Sequence, residues 1–135
     1  MGGCFTGGEV KRVPQRHKLG CVSASLAMVA GISYTDSLKL IHPRRVKGTK
    51  VFSNLKRLYT VLQNLKLNPE INFKPDIRNI KYPSIIILFP DNKMGHAVVW
   101  DPKSKKILDP QLTKPNHLSY YKKYFKLALE IRTSS

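Results

Sequence analysis

The chain has 135 residues, 41% hydrophobic and 24% charged, a composition that fits one globular domain and excludes a disordered or low-complexity chain. With 24 Lys and Arg against 8 Asp and Glu it carries a formal charge of +16, a field that attracts polyanions such as nucleic acid, anionic lipid or an acidic protein. Two cysteines, Cys4 and Cys21, exclude a disulfide-rich scaffold, and the longest apolar run, Ile85-Ile86-Ile87-Leu88-Phe89, is too short to span a bilayer.

Residues 1–13 hold four glycines and no apolar period, so they read as a flexible arm preceding a single domain over 14–135. From Cys21 the pattern becomes small and apolar at helical spacing. Ala24, Ala27 and Met28 share a face with Cys21, and Gly31 offers a C-terminal stop. A buried helix with Cys21 in its first turn is predicted. Tyr34-Thr35-Asp36-Ser37 offers a cap for a second, short helix, which Pro43 ends. A third helix is predicted over 53–67, where Leu55, Leu58, Tyr59, Leu62 and Leu65 recur at spacings of three and four.

After a crossing marked by Pro69 and Pro75 the character turns to β. Residues 84–89 form a β-branched run between Pro83 and Pro90, the mark of a strand buried on both faces. Two short strands over 96–100 and 105–109 flank the turn signal Asp101-Pro102-Lys103-Ser104. A short helix over 118–125 and a last strand over 127–132 complete the reading. Helices first and a hairpin-connected sheet after them imply an α+β fold.

The hairpin proposes a geometry of its own. A turn centred on Pro102 and Lys103 sets Trp100 against Lys105, Val98 against Ile107 and His96 against Asp109. Residues directly opposite lie on one face with Cβ atoms ~5 Å apart, so His96 and Asp109 are expected side by side, as an imidazole and its orienting carboxylate must be. A thiol at a helix N-terminus has its thiolate favoured by the helix dipole and free N–H groups, and an imidazolium beside it makes it a nucleophile toward carbonyls. Gln15 lies six residues before Cys21, where its amide is placed to donate to a developing oxyanion. Each residue alone has an ordinary reading: a small buried thiol, a strand-edge imidazole, an Asx turn, a surface amide. What is specific is the order and spacing of Gln15, Cys21, His96 and Asp109 together.

Those residues carry a resemblance. Gln15-x5-Cys21 opening an apolar helix, then His96-Ala97-Val98-Val99 and Leu108-Asp109-Pro110-Gln111, resembles the papain-like cysteine proteases, and most of all the compact bacteriocin-processing peptidase domain of bacterial ABC exporters. The resemblance runs from residue 14 to about 112. It implies a papain-like α+β fold, with the nucleophile helix packed on an antiparallel sheet that carries His and Asp. By it, Cys21, His96 and Asp109 are a catalytic triad and Gln15 the oxyanion donor of a cysteine-dependent hydrolase or acyl transferase, of peptidase or glutamine-deamidase type. One departure is Gly20-Cys21-Val22, where that family has Asp-Cys-Gly; Val22 puts a bulky side chain at the approach to the thiol.

The same fold is used by antibacterial toxin and effector domains, so the alternative expectation is a toxin domain that acts on RNA such as tRNA. Such a domain is delivered into a target-cell cytoplasm and neutralised by an acidic immunity protein. A third reading is a degenerate papain-fold module that only binds a polyanion. Partners on the first reading are a protein or peptide substrate. No cofactor is expected, and His17, His42 and His117 have no metal-ligand spacing with one another or with the cysteines. Met1-Gly2-Gly3-Cys4-Phe5-Thr6 fits an N-myristoylation pattern, but it is read here as part of a glycine-rich arm, with neither lipid anchoring nor a transmembrane segment expected.

Overall fold

The computed structural model describes residues 10, 12–14, 20–42, 55–73, 76, 79–88, 96–110 and 125–132. Among the described residues three helices come first. Helix α1 (Cys21–Ala30) is buried at every position but Val22, as its run of small and apolar residues on all sides requires. It ends where predicted: Gly31 takes a left-handed conformation (φ 70°, ψ 32°), and its N–H reaches the Ala27 carbonyl at 2.9 Å. Helix α2 (Tyr34–Ile41) is capped one residue before the expected segment, by Ser33, whose hydroxyl accepts from the Asp36 N–H at 3.0 Å. Helix α3 (Leu55–Asn64) buries Leu58, Val61 and Leu62, while Leu55 at its start stays exposed.

The five strands that follow are β1 (Pro69–Asn72), β2 (Ser84–Leu88), β3 (His96–Asp101), β4 (Lys106–Leu108) and β5 (Phe125–Ile131). They form one antiparallel sheet in the order β1-β5-β2-β3-β4. Helix α1 packs against α2 and β3. Ile85, Ala97, Val99 and Leu129 point into the core that the helices share; Ile86, Leu88, Val98, Trp100 and Ile107 form a second cluster. Strand β2 is therefore buried on both faces, as its uninterrupted apolar run demands. Trp100 is buried in the second cluster and donates its Nε1–H to the Ile80 carbonyl at 3.1 Å.

Two sequence expectations are corrected, and a third falls almost wholly outside the described residues. The stretch read as a proline-marked crossing contains β1, an edge strand opening on Pro69, where a missing N–H costs no ladder bond. The chain reaches it through Lys66 and Asn68, both at positive φ (59° and 48°). The helix expected over 118–125 lies outside the described residues except for Phe125, which opens β5 instead. The β3–β4 hairpin is shifted by two residues: Trp100 stands opposite Ile107 and Asp101 opposite Lys106. The cause is Asp101, which stays in the strand and turns its carboxylate onto the loop. There it accepts from the Lys103 N–H (3.1 Å) and the Ser104 hydroxyl (2.8 Å), and Lys105 closes the loop at φ 59°.

Val10 is buried and Val13 packs against the helix-side core. Among the described residues no helix is long and apolar enough to cross a membrane. The helix-side core should be sensitive to volume loss. Leu62→Ala, at a site with no exposure, is expected to cost about 2–5 kcal/mol, read as a lower urea midpoint at unchanged m-value.

Candidate active site

Cys21 is the first residue of α1, almost fully buried, and its thiol is free. Among the described residues no side chain caps this end of the helix. Gly20 holds the capping position and has no side chain to offer the helix's unpaired N–H groups. Val22 beside it is half-buried against the helix-side core rather than standing free in solvent.

His96 is the first residue of β3, and Asp109 follows directly on β4, so both stand at one end of that strand pair. The two-residue shift of the hairpin leaves them on one face, because strand side chains alternate with a period of two. Extending the observed register sets Asp109 beside Val98, and His96 reaches it diagonally. The contact is made at 2.8 Å between His96 Nε2 and Asp109 Oδ1, with the side chains 17% and 5% exposed. Cys21 is the second hydrogen-bond partner of the ring.

Burial alone would lower the basicity of this imidazole. Hydrogen bonds to Asp109 and Cys21, together with the charges of both, overcome that penalty and push His96 up to about 9. The ring is thus held as an imidazolium through the neutral range, between a carboxylate that orients it and the sulfur at a helix start. An arrangement of this kind can generate a thiolate, hold it against a proton donor and pass that proton to a leaving group.

The structure brings three of the four predicted residues together: Cys21, His96 and Asp109. Gln15 lies outside the described residues, as do Cys4, His17 and His117. His42 is the C-cap of α2. Among the described residues no group of three His, Cys, Asp or Glu side chains is arranged to hold a metal ion. One residue at the site was not foreseen. Arg12, read from the sequence only as one of many surface cations, donates from Nε to the Asp109 carbonyl at 2.8 Å. Nothing local in the sequence announces a contact between positions 97 residues apart.

No protein-family model matches the sequence, and no curated protein does. Solved structures do match. The peptidase domain of Streptococcus ComA, a bi-functional ABC transporter involved in quorum sensing, superposes with a TM-score of 0.70 at 16% identity. That match covers 90% of this chain and 97% of the other. A double-glycine-motif protease from an AMS/PCAT transporter, solved in complex with the leader peptide, superposes with a TM-score of 0.68 at 20% identity. Here 96% of this chain and 97% of the other are covered. Among the described residues, three helices and a five-stranded antiparallel sheet, matched over nearly the whole length of both neighbours, give the papain-like α+β fold of these transporter peptidase domains.

Proposed function

We propose that this chain is a cysteine-dependent hydrolase that cleaves amide bonds in a peptide substrate, with Cys21 as nucleophile, His96 as acid and base, and Asp109 as orienting carboxylate. The observation that carries the reading is the His96 ring held between the Asp109 carboxylate at 2.8 Å and the thiol at the start of α1. The leader peptide bound to the AMS/PCAT neighbour supports a peptide as the substrate class.

The Cys21 thiolate adds to the scissile carbonyl carbon, and the C–N bond breaks as His96 gives its proton to the departing amine. A thioester on Cys21 remains. Water then adds to the thioester, His96 takes its proton, and the acid product leaves with the thiol restored. If an amine takes the place of water, the same steps transfer the acyl group. The N–H groups at the α1 N-terminus are the main-chain donors to the oxyanion, and the Gln15 amide is assigned as the side-chain donor. The +16 charge speeds encounter with acidic peptides and is screened by salt.

The test is cleavage of a peptide library by the wild-type chain, read by mass spectrometry. Cys21-dependent cleavage at defined bonds is expected; Cys21-dependent loss of RNA without peptide cleavage would replace this reading with the nuclease one. On a cleaved peptide, Asp109→Asn should lower kcat while leaving residual turnover. By analogy with other triads, its loss should be about tenfold to a hundredfold smaller than the loss on removing the nucleophile.

A further inference from the structure

We infer that Arg12 is a positioning residue of this site: its guanidinium fixes the main chain at Asp109, so that the Asp109 carboxylate is held on the His96 ring. The inference rests on the reading of Cys21, His96 and Asp109 given above and adds a residue that touches none of the reacting atoms.

The geometry points to it in three ways. First, β4 ends at Leu108, so Asp109 lies past the strand ladder that fixes its predecessors. The next residue is Pro110, which has no N–H to give and whose ring confines Asp109 to extended conformations. Arg12 supplies a donor to this carbonyl, at 2.8 Å, from the other end of the chain. Second, the bond goes to the Asp109 carbonyl and not to the carboxylate oxygen on His96, so the cation does not compete for Oδ1. Third, Arg12 is itself held in place, since Val10 is buried and Val13 packs against the helix-side core.

A carboxylate at the end of a short side chain moves with the peptide planes on either side of it. Without the Arg12 bond the Asp109 main chain has one hold fewer; rotation about it carries Oδ1 off the line of the imidazole N–H, and hydrogen bonds weaken steeply as they bend. Displacements of about 1 Å at a catalytic group cost up to about 100-fold in rate.

The test uses the full chain with two substitutions and two readouts. Arg12→Met keeps the aliphatic stem and removes every donor; Arg12→Lys keeps the charge on a differently placed single ammonium. The readouts are the NMR titration of the His96 ring and the rate of iodoacetamide alkylation of Cys21 at pH 6. In Arg12→Met the His96 midpoint should fall from about 9 toward that of Asp109→Asn, and alkylation should slow by about 10- to 100-fold. Arg12→Lys should recover part of both. A lowered Tm with both readouts at wild-type values would make Arg12 a merely structural contact and overturn the inference. If Arg12→Met does not fold, Arg12→Lys decides: an intermediate midpoint supports the role, and an unchanged one overturns it. Asp109→Asn separates the two layers. If it moves both readouts and the Arg12 variants do not, only the inference fails; if it moves neither, the catalytic reading fails with it.

Discussion

Replacing Cys21 with alanine is expected to lower turnover of a cleavable peptide by roughly 10⁴- to 10⁶-fold while the fold survives. The size follows from the mechanism. Without the sulfur no thioester forms, and what remains is the help that main-chain donors and substrate binding give to attack by water. The fold should survive because Cys21 occupies the first position of α1, and the helix is secured by packing further along. The chemistry removed is that of one thiol, and alanine restores a residue of high helix propensity. A Cys21→Ala chain that unfolds cooperatively near the wild-type midpoint yet cleaves nothing fits the account. A chain that still cleaves at a tenth of the wild-type rate does not.

A second large effect is expected at His96, in both activity and stability. His96→Ala takes away the proton donor to the leaving amine and the positive partner of the thiolate, so turnover should fall nearly as far as with Cys21→Ala; members of one catalytic set are far from additive. The pH dependence has a defined sign. The folded-state value of His96 lies above the ordinary 6.5, at about 9, so the folded chain binds this proton more tightly than the unfolded chain. The stability this contributes is fully present below 6.5 and is lost as pH rises through about 9. At ~1.4 kcal/mol per unit it amounts to ~3 kcal/mol at most. The +16 charge relaxes over the same range, so the quantity to compare is wild type minus His96→Ala, from urea unfolding at pH 6 and pH 9.5. That difference should shrink with rising pH, and the activity of the wild type should decline above about 9.

How much of this was legible in the sequence depended on whether the signal was local. The run of small residues in α1 and the left-handed Gly31 that ends it are local features, and they were read correctly. So was β2, an apolar run between two prolines. The His96–Asp109 pair was read through a hairpin whose centre was misplaced. It emerged intact because the error was an even number of residues, which keeps both side chains on one face.

The misplacement itself came from Asp101, whose carboxylate organises the loop by side-chain hydrogen bonds that turn propensities do not register. Strand β1 escaped notice for another reason. Four residues opening on Pro69, with Ile71 half-exposed, carry no alternation of their own and become a strand only by pairing with β5. The end of α3 lacked its usual mark, since Lys66 and Asn68 take left-handed conformations where glycine is the common choice. Arg12 is the extreme case. Its neighbours Val10, Lys11, Val13 and Pro14 form no motif, and its partner is a carbonyl 97 residues further along the chain.

The most direct test of the central claim, that Cys21 is a nucleophile activated by His96, is the rate of iodoacetamide alkylation of Cys21 at pH 6, resolved by peptide mass spectrometry. Cys4 in the same molecule serves as the internal reference. The account predicts that Cys21 reacts at least about tenfold faster than Cys4, despite its burial, and that His96→Ala abolishes the advantage. A Cys21 that reacts no faster than Cys4, or one indifferent to the loss of His96, would contradict it.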